Sequence, residues 1–169
     1  RILKEKFTNK EYQECNICYE KLILFLFDAS RGDDEADFSY EDLLAKATDD
    51  FDNYIRNYFI CLVKTCEIEE LTERVSLYVS KLKDYGFDSD VKVLLENLDK
   101  LQLDNLEARM LIKTEGMTKK NDSKHEIIFF LMNIAKERKQ KEKYLGLVNR
   151  FRGVLGKEEV DYMVEEYDE

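Results

Sequence analysis

The stretch Ser39-Tyr-Glu-Asp-Leu-Leu-Ala-Lys-Ala-Thr-Asp-Asp-Phe-Asp-Asn-Tyr-Ile-Arg-Asn-Tyr-Phe-Ile-Cys-Leu62 decides the fold. Its apolar residues Leu43, Leu44, Ala47, Phe51, Tyr54, Ile55, Tyr58, Phe59 and Leu62 return every three or four positions. Wound at about 3.6 residues per turn they share one face, so the stretch is an amphipathic helix with a stripe to bury. Ser39 and Asp42 stand where a helix start needs side-chain acceptors for its free N–H groups.

The same period extends in both directions, and no proline interrupts it anywhere in 169 residues. Upstream, Thr8 and Glu11 have capping-box spacing ahead of the stripe Tyr12, Cys15, Tyr19, Leu22 and Leu26, a long helix expected to stop near Ala29 to Gly32. Downstream, Leu71, Val75, Tyr78, Val79 and Leu82 predict a helix from about Glu67 to Tyr85 that Gly86 terminates. Val91 to Leu98 and Asp104 to Thr114 predict two shorter helices, the second ending where Gly116 tolerates positive φ. Ser123 and Glu126 open a helix carrying Ile127, Ile128, Phe130, Leu131 and Ile134. Lys136 to Lys143 is wholly polar, so that helix either runs on in solvent or breaks before Tyr144 to Val154. Glu158 to Tyr167 closes the chain with Val160, Met163, Val164 and Tyr167 on one side. The expectation is all-α: an irregular bundle or short stack of helical hairpins, about seven or eight helices in one domain spanning 1–169.

Hydrophobic residues at 44% and charged residues at 38% supply a core and a very polar surface. The longest apolar run, Leu22 to Phe27, is far short of the roughly 20 residues that cross a bilayer, so no membrane span is expected. The chain begins at Arg1 without a leader, reading as a piece of a longer protein, and four cysteines without a leader fit a reducing, intracellular setting in cytoplasm or nucleus. Net charge is −10, unevenly placed. Asp28 to Asp52 holds ten acids against Arg31 and Lys46, whereas Lys113 to Lys157 holds twelve bases against five acids.

Few residue sets could carry chemistry. Cys15-Asn-Ile-Cys18-Tyr-Glu20 resembles the opening of a RING finger, which implies zinc, but that family needs further Cys and His pairs and only Cys61, Cys66 and His125 remain. A four-thiolate zinc site of Cys15, Cys18, Cys61 and Cys66 is the metal alternative, set against four small hydrophobes inside apolar helices. Cysteine bridges across the same helices would instead make the chain a secreted signalling or toxin-like factor, a reading that Asn121-Asp122-Ser123 supports as a glycosylation acceptor pattern. One histidine is too few for di-iron bundles or helical zinc proteases, and the scattered glycines form no phosphate-cradling loop.

The remaining candidate is the basic strip Lys136, Arg138, Lys139, Lys141, Lys143, Arg150 and Arg152, with Tyr144 and Phe151 interleaved. It would meet a protein partner, an acidic or helical segment, with the aromatics as anchors and the bases as rim. A nucleic-acid role for the strip is a second alternative that the net charge opposes. The sequence therefore predicts a non-catalytic adaptor or scaffold domain, with no cofactor and no catalytic residues.

Overall fold

The computed structural model describes the backbone of residues 2–30, 39–84 and 91–168, and the side chains of 2–25, 51–81, 91–165 and 167. The acidic residues from Asp28 to Asp50, the expected stop at Ala29 to Gly32 and the terminator Gly86 lie wholly or in their side chains outside the described residues. Among those residues the protein is all-helical, with nine α-helices and no strand. None is long and apolar enough to cross a membrane. The chain divides into two compact units, Arg1–Leu71 and Thr72–Glu169.

In the first unit α2 (Tyr12–Ser30) packs against α1 (Ile2–Thr8) and α3 (Ser39–Thr65). The stripes meet: Cys15 and Tyr19 of α2 and Phe51, Ile55, Tyr58, Phe59 and Leu62 of α3 are buried as predicted, with Ile23 buried in place of the half-buried Leu22. Tyr19 has Phe7 edge-on at 6.1 Å between centroids, and its hydroxyl accepts a hydrogen bond from Asn57 Nδ2 at 3.0 Å. The polar rung above is also satisfied, since Asn16 Nδ2 donates to Thr65 Oγ1 at 2.9 Å and that hydroxyl donates to the Cys61 carbonyl at 2.8 Å.

One predicted start is overturned here. Thr8 does not cap α2; it ends α1, an additional helix, where its Oγ1 donates to the Lys4 carbonyl. Glu11 is drawn instead into ion pairs with Lys6, which also pairs with Glu14. The turn between the helices closes with the Glu11 N–H on the Lys6 carbonyl and the Lys10 N–H on the Phe7 carbonyl, which puts Lys10 in the left-handed region at φ 62°.

The second unit contains α4 (Ile68–Asp84) apart from its first turn, then α5 (Val91–Asn97), α6 (Lys100–Gly116), α7 (Asp122–Glu137), α8 (Lys141–Arg150) and α9 (Lys157–Asp168). α7 packs against α5, α6 and α8, and α9 packs against α8. Ile127, Ile128, Leu131 and Ile134 of α7 are buried, as are Leu103, Leu106 and Met110 of α6 and Leu147 and Val148 of α8.

Two helix starts differ from the sequence reading, and one open alternative is decided. α6 begins four residues earlier than Asp104, because Asp99 and Gln102 form a capping box: the Gln102 N–H donates to Asp99 Oδ1 at 2.8 Å and the Asp99 N–H to Gln102 Oε1 at 3.0 Å. It ends through Gly116 on an extended Met117, so the glycine's left-handed freedom is not used. α7 is capped by Asn121, whose Oδ1 accepts the Ser123 N–H at 3.0 Å. The polar run Lys136 to Lys143 breaks, and Lys139 adopts φ 56° while its own N–H bonds the Lys136 carbonyl and the next, on Gln140, bonds Ala135.

Candidate functional site

The break at Lys139 separates the basic strip into parts with different surroundings. Arg138 turns inward: its side chain is 14% exposed, and Nη1 lies 2.8 Å from Asp104 Oδ1 and 2.9 Å from Glu107 Oε1 on α6. Glu107 is a carboxylate only 4% exposed, and its second oxygen is ion-paired with Lys143 from α8. A buried carboxylate of this kind requires such partners, because an isolated charge out of water costs far more than a pair. Arg138, with Lys143 contributing, holds the Asp104 carboxyl below the usual carboxylate range. Burial lowers the Lys143 ammonium, and the charge of Asp104 partly offsets this. Arg150 pairs with Glu115 at the far end of α6.

Four strip residues lie at the surface. Lys136, Lys139, Lys141 and Arg152 are exposed, Arg152 with Nη2 3.1 Å from Asn149 Oδ1. The two interleaved aromatics are placed inside. Tyr144 is buried and stacks on Tyr167 of α9 at 4.8 Å, with Lys141 Nζ 5.8 Å from that second ring. Phe151 is buried under Lys124 Nζ at 5.9 Å. Lys124 is itself a buried lysine, its ammonium donating to the Met117 carbonyl at 2.9 Å. Apart from the inward Arg138, the strip thus supplies bases to the surface and aromatics to the core.

Exposed apolar residues occur elsewhere on the same unit. Leu101 is 78% and Ile112 69% exposed on α6. At about 100° per residue Leu101, Asn105, Ala108 and Ile112 share one face, opposite the buried Leu103, Leu106 and Met110. Asp104 and Glu115 adjoin this face and bring Arg138 and Arg150 to one flank of it. Arg109, bonded to Asn105 Oδ1 at 3.1 Å, and Lys113, paired with Glu73, stand on the other. Sequence reasoning missed this face because it asked where α6 would be buried; leucine and isoleucine eleven residues apart and off the buried stripe were the available signal.

His125 stands in the first turn of α7. It is half-buried, with Nε2 3.2 Å from Glu159 Oε2 on α9 and its ring 4.7 Å from that of Phe129. All four cysteines are free thiols. Cys15 and Cys61 are buried together, Cys18 is exposed, and Cys66 is half-buried with its sulfur 3.8 Å from Asn16 Nδ2. Among the described residues no three or more Cys, His, Asp or Glu side chains converge as a metal would need, so the four thiols do not share one centre.

Compared with protein-family models, with curated proteins and with solved structures, the chain matches none.

Proposed function

We propose that this chain is a non-catalytic protein-interaction domain and that a partner helix docks on the exposed face of α6. The reading is supported above all by Leu101 and Ile112, two large aliphatic side chains left in water on one helical face with the small Ala108 between them. Helix-in-groove recognition uses apolar anchors at such spacing, and the bases along both flanks would orient a partner whose own stripe is bordered by acids. Tyr144 and Phe151, being core residues, contribute by holding α8 in place and not as anchors.

The test places a photocrosslinking amino acid at Ala108 and compares the wild-type background with Leu101→Glu/Ile112→Glu in source cells. Both side chains are surface residues, so the variant should keep its helical circular dichroism. A saturable crosslink to one protein in the wild-type background, lost in the double variant, is the expected result. Equal crosslinking in both backgrounds would remove α6 as the docking face.

A further inference from the structure

The thiols along the α2–α3 contact differ in accessibility in a way that orders them. Cys15 and Cys61 are completely buried on facing turns of α2 and α3, beside the Asn57–Tyr19 and Asn16–Thr65 hydrogen bonds that join the two helices. Cys18 sits three residues after Cys15, within one helical turn, and is exposed. Cys66 lies one turn beyond Cys61, where Asn16 and Thr65 approach its sulfur at 3.8 Å.

We propose that Cys15, Cys18 and Cys61 are a thiol relay through which a low-molecular-weight disulfide installs a Cys15–Cys61 bond. Cys18 receives the oxidant because it meets solvent. Its thiolate attacks one sulfur of the external disulfide, forming a mixed disulfide and releasing one thiol. Cys15 attacks Cys18 Sγ and its proton passes to the departing external sulfur; the Cys15–Cys18 bond forms and the second external thiol leaves. Cys61 then attacks Cys15 Sγ, its proton passing to the Cys18 sulfur, which departs as a thiol. Two electrons pass from the Cys15 and Cys61 thiols to the external disulfide, which ends as two thiols, while Cys18 is returned unchanged.

The surroundings explain why direct oxidation of the inner pair would be slow. Burial pushes the Cys61 thiol up to about 12 and raises Cys15 as well, so neither supplies much thiolate to an external reagent. Inside the helix pair the disadvantage is offset by proximity, since the two thiols already sit on facing turns of packed helices and closure needs no search through chain conformations.

The whole chain, reduced and then exposed to oxidised glutathione, tests this by differential alkylation and fragment sequencing of the products. The expected product links Cys15 to Cys61 and leaves Cys18 and Cys66 alkylatable. Cys18→Ser should reach the same product at least about tenfold more slowly, whereas Cys66→Ser should not change the rate. Cys18 is exposed, so its substitution leaves the core intact. A product that stops at the Cys18 adduct or at Cys15–Cys18, or an unchanged rate in Cys18→Ser, would overturn the relay.

Discussion

Replacing Arg138 by Met should be among the most damaging single changes at the surface of the second unit, and the structure fixes how damaging. Removing one member of a buried ion pair costs about 3–5 kcal/mol when the other is stranded. Here Glu107 is stranded only in part, because Lys143 still reaches it, and Asp104, at 45% exposure, is rehydrated. The expected loss for Arg138→Met is therefore about 2–3 kcal/mol. Lys143→Met should cost under about 1 kcal/mol, since the lysine side chain is 40% exposed and Arg138 remains on Glu107. The decisive comparison is Glu107→Leu/Arg138→Met. Exchanging a buried pair for apolar groups of similar volume is close to neutral, so the double variant should recover to within about 1 kcal/mol of wild type and exceed the single variant. Urea unfolding followed by far-ultraviolet ellipticity gives the free energies, and hydrogen exchange in α6 and α7 peptides locates them. Equal losses for Arg138→Met and Lys143→Met, or a double variant no better than Arg138→Met, would refute the assignment of Glu107 as the buried charge that Arg138 chiefly neutralises.

Two further outcomes follow from local features. Lys139→Gly should stabilise by about 0.5–1 kcal/mol in the same urea assay, because the left-handed conformation at φ 56° strains a side-chain-bearing residue more than glycine's added freedom costs the folded state; a loss of stability would contradict it. Asp104 has a folded pKa lowered from 3.8, so its contribution is present above that value and disappears as pH falls through the lower folded value. Asp104→Asn should accordingly flatten the acid limb of a stability profile below about pH 4, and an unchanged limb would count against the Arg138 contact.

How far the sequence could be read depended on the kind of signal. The helices of the α2–α3 pair and of α7 were legible because each carries a long stripe of one period, and burial of Tyr19, Phe59 and Ile128 follows from it. Boundaries were less legible where a residue had competing partners. Thr8 and Glu11 have capping spacing, but Lys6 is close enough to take the carboxylate and Lys4 offers its carbonyl to the hydroxyl. Asp99 and Gln102 carry the equivalent pattern at α6, where nothing competes, but it lies ahead of the apolar residues that mark the helix. The candidate site was half legible for a related reason. Period 3.6 says which side of α8 is greasy, and Tyr144 belongs to that side; only the fold says that Arg138 and Lys143 converge on a carboxylate more than thirty residues earlier in the chain.

The position of α7 has a consequence for cooperativity. A helix that serves as common neighbour to α5, α6 and α8 cannot fray without exposing the inner sides of all three, so its amides should report the global opening of this unit while α9, packed on α8, opens by smaller steps. Fragments cut within the turn at Met117 to Asn121 would separate α6 from the support it folds against. The stretch from α5 to α8 therefore behaves as one foldon, and a useful truncation series must keep it whole.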